Sequence, residues 1–362
     1  MISTSYPKIS FIKNKKKIIN KLSSVLENGN YINSIEVNKF EFDFSKYIGT
    51  KYAASVGNAT DALYLSLKSL DVKNGDNIIT VSHTATATIT AIMRTGAKPN
   101  LIDINQTDFN IDLLKIEKKI NSKTKAIIIV HLYGQSCDMQ KLIKISKKYK
   151  IPIIEDCSQA AGSLYKNKRL GSFGLLSCFS FFPTKNLSTM GDGGCVLSNN
   201  YKLIKKIKSL REYGWNKTRN SQFTGINSRL DEIHAAILNI KLKELDNENN
   251  ERREIANIYN QKLNNKNIIL PLENQFSFHV YHHYVVRIKK RDMFLKYMKK
   301  NGYNLGIHYR LPVHRQKVLS NNNFKLANTE KISKEIVSLP IYSGLDKNSQ
   351  NKIIKVINSF TF

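Results

Sequence analysis

The sequence predicts an α/β fold in which a mostly parallel central sheet is flanked by helices and followed by a smaller C-terminal α/β domain. Three observations predict it. Between residues 50 and 200, short β-rich runs alternate with helix-length amphipathic stretches; the runs are continuously apolar; and the pattern changes after Ser228. Continuous apolar runs suit strands buried on both faces, which are joined by crossover helices.

The strand-like runs are NIITV (77–81), PNLIDI (99–104), AIIIVHLY (126–133), PIIED (152–156) and CFSFF (178–182). Between them, LLKIEKKI (113–120) and MQKLIKISKKY (139–149) have helix length. From Ser228 the chain reads SRLDEIHAAILNIKLKELDNENNERREIANIYNQKL, with Ile233, Ile237, Ile240 and Leu245 near helical period. One long helix is therefore expected to leave the first domain. Beyond it, YHHYVVRI (281–288) reads as a strand, and 291–301 and 329–338 as helices. The expected division is a large domain, 1–240, with an N-terminal arm, and a small domain, 241–362.

An apolar content of 41% with 23% charged residues excludes a disordered chain. The net charge of +29 raises nucleic acid or an anionic surface as partners. Its lysines are spread along the chain without a basic block, as a solvated surface requires, and a preference for polyanionic substrates is the alternative. The first residues, MISTSYPKISFIKNKKK, contain no apolar leader, and no run approaches the ~20 apolar residues of a membrane span. A cytoplasmic protein with neither membrane nor nucleic-acid partner is expected. Cys137, Cys157, Cys178 and Cys195 form no CxxC pair, so no metal site is expected and they read as core residues.

Three constellations fall at predicted strand ends, where ligands collect on a parallel sheet. In SVGNATDALYLSLKSL (55–70), a helical pattern begins at Ala59 or Thr60 just after Gly57. Free N–H groups and the positive helix end suit a phosphate there, although an ordinary capped helix reads the same way. In IIEDCSQAAG (153–162), Asp156 ends an apolar strand, where a carboxylate needs a cationic or protonated partner. A helix cap or salt bridge is the plain alternative. In CFSFFPTKNLSTMGDGGCV (178–196), Lys185 follows a strand that Pro183 terminates, with Gly191, Gly193 and Gly194 beyond it. A desolvated lysine has a lowered pKa and a nucleophilic amine. Phosphate cradle, carboxylate and lysine together are what pyridoxal phosphate needs.

The chain resembles the DegT/DnrJ/EryC1/StrS sugar aminotransferases, fold-type I pyridoxal-phosphate enzymes with an aspartate aminotransferase-like fold. The resemblance rests on GNATDAL (57–63), VSHTATATITAI (81–92), HLYGQ (131–135), IEDCSQAAGS (154–163), FSFFPTKNLSTMGDGG (179–194), GINSRLDEIHAAIL (225–238), GIHYRLPVHRQ (306–316) and SLPIYSGL (338–345). It implies that Lys185 is the Schiff-base lysine, that Asp156 pairs with the pyridinium nitrogen and that Gln159 lies near the ring hydroxyl. Ser180 and the backbone of Ala59, Thr60 and Asp61 are implied to hold the phosphate. Asn227 matches an asparagine that reaches the neighbouring subunit's phosphate, so a homodimer with sites completed across the interface is implied. Many relatives stack an aromatic ring on the cofactor where this chain has Ala85, so His83 or another ring is expected on that face. Arg229, His308 and Tyr309 are the candidate substrate contacts, with Arg310, where many relatives have proline, a candidate for a pyrophosphate.

A dehydrating subgroup carries histidine in place of the lysine, so Lys185 implies transamination. The implied reaction passes the amino group of L-glutamate, through the pyridoxamine phosphate form, to a nucleotide-linked keto sugar. SHTA (82–85) with NSRLDEIHAAIL is most similar to members that convert dTDP-3-keto-6-deoxyhexose to dTDP-3-amino-3,6-dideoxyhexose; a 4-keto-sugar 4-aminotransferase is the alternative. A basic nucleic-acid-binding regulatory protein on an aminotransferase-like domain is the competing class, but it has no need of Lys185, Asp156 and Ser180 together. The lysine- and asparagine-rich composition points to cell-surface glycan synthesis, such as lipopolysaccharide O-antigen, in an A/T-rich bacterium.

Overall fold

The computed structural model describes residues 1–319 and 323–362. Seven strands form the central sheet: β1 (Tyr52–Val56), β2 (Asn77–Val81), β3 (Lys98–Ile102), β4 (Thr124–Val130), β5 (Ile153–Asp156), β6 (Leu176–Ser180) and β7 (Gly194–Ser198). They lie in the order β1-β7-β6-β5-β4-β2-β3. All adjacent pairs from β6 to β3 are parallel, whereas β7 runs antiparallel to both its neighbours.

Successive side chains of a strand point to opposite faces, and here both faces are covered. Ile127, Ile129 and Phe179 pack with Phe40, Leu142 and Leu238 on one side. Ile128, Ile154 and Cys178 pack with Leu63, Ile89 and Ile207 on the other. This double burial is why the strands read as unbroken apolar runs. All four cysteines are buried free thiols. Among the described residues no helix is long and apolar enough to cross a membrane.

Helical periodicity overreached in three places. LLKIEKKI forms two 3-10 turns, Leu113–Lys115 and Glu117–Lys119. Eight residues barely repay helix nucleation, and Asn100 Nδ2 draws the Lys119 carbonyl out of any ladder at 3.0 Å. The helix expected after Ser228 breaks into α1 (Glu232–Lys241) and α2 (Leu245–Lys262), separated by the 3-10 turn Leu242–Glu244. The stretch 329–338 is a helix only as far as Glu335. Ile336–Leu339 then joins Tyr284–Ile288 and Ile268–Ile269 in a small antiparallel sheet. Ile336, Val337 and Leu339 are wholly buried, so packing outweighs helical continuity.

The N-terminal segment is tied to the far end of the chain: Ile2 and Ser3 pair in parallel with Tyr303 and Asn304. This contact sits just before the segment Gly306–Arg310, which packs back on the central sheet.

Candidate active site

The loop after β6 carries Lys185 and is pinned at several points. Phe181 N–H donates to Gly193 O and Thr189 N–H to Phe181 O, each at 2.8 Å. Asn186 Nδ2 donates to Asn249 Oδ1 (2.7 Å) and Val280 O (3.1 Å), clamping the loop to α2 and the small domain. Two glycines here answer to space. A Cβ on Gly194 would lie 2.5 Å from the carbonyl carbon of Asn58, and one on Gly191 would lie 2.8 Å from the His234 ring. Glycine at 194 thus lets β7 approach the start of α3, the helix Ala59–Ser69.

Lys185 opens into a cavity of about 250 Å³ at the carboxyl ends of β4, β5 and β6. Ala59 and Thr60, Asp156, Gln159, Ser180 and Tyr309 share its wall. At one end is the N-terminus of α3, where Asn58 caps the helix by accepting from Asp61 N–H at 2.8 Å. The amide groups of Ala59 and Thr60 stand ahead of that cap, at the positive end of the helix. Asp156, also on the wall, is 5% exposed. Its Oδ1 accepts from Ser158 Oγ (2.6 Å) and Ser158 N–H (3.2 Å), and its Oδ2 from Thr88 Oγ1 (3.1 Å). Gln159 Oε1 accepts from Tyr133 N–H at 2.7 Å, and its Nε2 donates to Tyr309 Oη at 3.0 Å.

Lys185 keeps some surface toward the cavity, but the protein crowded around its amine disfavours charge. Burial lowers its pKa to about 8, against the pull of the Asp156 carboxylate in the other direction. About a tenth of the amine is therefore unprotonated at pH 7, far more than at the ordinary lysine value.

Six of the expected residues lie elsewhere. The Asp61 carboxylate is engaged by Arg94 at 2.6 Å and Ser228 Oγ at 2.8 Å, and its N–H by the cap, so it has little left for a ligand. His83 is wholly buried beneath the wall, with Nε2 2.8 Å from Tyr133 Oη; Thr84 and Ala85 face the cavity instead. His308 turns away, its Nδ1 2.8 Å from Ser338 Oγ and its ring stacked on His283 at 3.8 Å. Arg310 is exposed, 3.7 Å from Asp292 and outside the cavity wall. Arg229 and Asn227 also lie outside it; Asn227 is exposed beside Ser228, whose Oγ accepts from Gly57 N–H at 2.9 Å. Sequence reasoning missed Thr88, Ser158 and Tyr133, whose signal is only their place within VSHTATATITAI, IEDCSQAAGS and HLYGQ.

One further buried cluster, His131, Glu155 and Cys157, brings three potential metal ligands together. The His131 and Glu155 atoms are already committed. His131 Nε2 lies 3.1 Å from Glu155 Oε2, Cys137 N–H donates to His131 Nδ1 at 3.3 Å, and Gly171, Phe173 and Gly174 donate their N–H groups to Glu155. Burial pushes the Glu155 carboxyl up, but these hydrogen bonds outweigh it and hold it below the usual range. His131 and Glu155 thus form a satisfied core pair.

A lowered-pKa lysine, a hydrogen-bonded carboxylate and a helix N-terminus thus line one cavity of a mostly parallel sheet. The family model described as the DegT/DnrJ/EryC1/StrS aminotransferase family matches residues 13–358, and the chain belongs to that family. It is 43% identical over 351 residues to the dTDP-3-amino-3,6-dideoxy-alpha-D-galactopyranose transaminase of Aneurinibacillus thermoaerophilus, covering 96% of each chain. It is 37% identical to the pleiotropic regulatory protein of Geobacillus stearothermophilus (96% and 95% covered). It is 36% identical to the UDP-2-acetamido-2-deoxy-3-oxo-D-glucuronate aminotransferase of Pseudomonas aeruginosa (95% and 94% covered). Among solved structures, S. venezuelae DesV in complex with a ketimine intermediate superposes with a TM-score of 0.96 at 32% identity, covering 99% of this chain and 97% of that one. NtdA from Bacillus subtilis with bound cofactor PMP gives 0.89 at 29% identity, covering 95% and 81%.

Proposed function

We propose that this sugar aminotransferase moves the amino group of L-glutamate to carbon 3 of dTDP-3-keto-6-deoxyhexose, forming dTDP-3-amino-3,6-dideoxyhexose. The observation that carries the reading is the 43% identity, over nearly the full length, to a transaminase named for that class of product. The Pseudomonas relative, named for a 3-oxo sugar on a different nucleotide, supports the same ring position.

The cofactor is pyridoxal phosphate, and the residues present fit it. The N–H groups of Ala59 and Thr60, with Ser180, offer donors for a phosphate, and the absence of a Cβ at Gly194 preserves their cradle. Asp156, on the same cavity wall, would hold a proton on the ring nitrogen. When bound, the cofactor supplies an electron sink for the carbon from which a proton is removed.

Residues of this chain account for the rest. Lys185 Nζ, unprotonated in part near neutral pH, takes the proton from the α-carbon of glutamate and returns one to the acceptor carbon in the second half of the cycle. Thr88 and Ser158 keep the Asp156 oxygens aimed, so its charge is preorganised. Tyr309 and Gln159 close the side of the cavity nearest the small domain. Asn227 reaches the phosphate of the partner's site in a homodimer, a role its exposure supports. The four unpaired thiols support a cytoplasmic enzyme, and its product serves a cell-surface glycan.

Incubation with ¹⁵N-labelled L-glutamate and either dTDP-3-keto- or dTDP-4-keto-6-deoxyhexose tests the reading, with the aminated carbon identified by NMR. Label at C3 from the 3-keto sugar is expected. Label only at C4 establishes the 4-amino alternative. Salt-sensitive DNA retention without labelled product establishes the regulatory one.

A further inference from the structure

We infer that Tyr133 is a positioning residue that fixes both Gln159 and the His308–Tyr309 segment at the cavity through a closed circuit of hydrogen bonds. The inference rests on the aminotransferase reading above and assigns a part of the site that the cofactor and lysine do not explain.

Tyr133 is 3% exposed and follows β4. Its φ of 59° is in the left-handed region, which a bulky side chain rarely enters. That conformation serves two bonds at once. The backbone N–H reaches Gln159 Oε1 at 2.7 Å, and the hydroxyl donates to the carbonyl of His308. Gln159 Nε2 then donates to Tyr309 Oη, and the peptide bond from His308 to Tyr309 completes the ring.

Proton counting along the circuit has two consequences. The Tyr133 hydroxyl has one proton, given to His308 O, so it can only accept from His83 Nε2 at 2.8 Å. His83 therefore carries its proton on Nε2, leaving Nδ1 bare, and that buried Nδ1 has no partner among the described residues. Burial keeps the ring neutral, with a pKa lowered to about 4, so the arrangement persists at neutral pH. At the other side of the circuit, Gln159 already donates to Tyr309 Oη. The Tyr309 proton is thus free for an acceptor oxygen in the cavity. Tyr133 sets the polarity of this cavity wall without touching the cavity itself.

The test uses full-length holoenzyme carrying Tyr133→Phe, Tyr309→Phe or both. The glutamate half-reaction is read by single-turnover absorbance, and the sugar half by steady-state KM. Tyr133→Phe should raise the KM for the keto sugar about tenfold and change the glutamate half-reaction less than about threefold. Because both changes open the same circuit, the double variant should be within about threefold of Tyr309→Phe alone. An unchanged sugar KM, or effects that simply multiply, overturns the inference. Should Tyr133→Phe fail to fold, His83→Leu removes the hydroxyl's other partner and should raise the sugar KM about threefold; a wild-type KM there overturns it too. A wild-type enzyme that ignores glutamate overturns the reading of function, whereas a responsive wild type with unaffected variants overturns the role of Tyr133 alone.

Discussion

The charge on Lys185 is set by two opposed effects, and burial is the stronger. A lysine whose folded pKa lies near 8, below its usual 10.5, binds fewer protons in the folded chain than in the unfolded one between those values. Stability of the cofactor-free protein should consequently rise with pH from about 8 toward 10.5 on this group's account. Lys185→Met should remove that slope and raise the thermal midpoint near pH 7, as calorimetry across this range can check. The rate at which the cofactor-free enzyme captures pyridoxal phosphate should climb through pH 8, as stopped-flow absorbance can follow. Asp156→Asn should leave the cofactor bound but lower turnover at least about 100-fold, because the amide cannot hold the ring proton; near-normal turnover would refute that role. Lys185, Asp156, Gln159 and Ser180 were legible in the sequence because each sits in a local motif at a strand end. The place of His83 was not legible because it lies in the turn between Val81 and the helix Thr86–Arg94, where no strand or helix period assigns a face; Thr84 and Ala85 reach the cavity while His83 is buried. Tyr133 was illegible because its partner His308 is 175 residues away.

At the scale of elements, the approach of β7 to the start of α3 is the contact on which the phosphate end depends. Gly194→Ala would drive a methyl group into the Asn58 carbonyl. A cost of about 1–3 kcal/mol in stability is expected, together with weaker retention of pyridoxal phosphate, measurable by denaturant titration and by equilibrium dialysis. Unaltered cofactor affinity would show that the helix start has slack. The strands were readable because double burial leaves continuous apolar runs. The helices were less so: LLKIEKKI has helical period but loses its ladder to Asn100, and Ile336–Leu339 is claimed by a sheet that forms only when Tyr284–Ile288 is in place.

For the whole molecule, residues at the carboxyl ends of the central strands and Tyr309 from the C-terminal part of the chain meet at one cavity, while Asn227 is exposed and lies outside its wall. A homodimer with shared sites predicts complementation. Inactive Lys185→Ala and impaired Asn227→Ala subunits, mixed and allowed to exchange, should form heterodimers with one complete site and regain activity above the sum of the parents. Absence of any gain, with exchange verified by native mass spectrometry, would place each site within one chain.

The most direct measurement is the near-ultraviolet and visible spectrum of the purified protein with pyridoxal phosphate, before and after L-glutamate, for wild type and Lys185→Ala. The expected result is a lysine-linked cofactor band in the wild type that glutamate converts to the pyridoxamine phosphate form, with no such band or cycle in the variant. A wild-type spectrum identical to free cofactor, or one that glutamate leaves unchanged while Lys185→Ala behaves the same, would contradict the account.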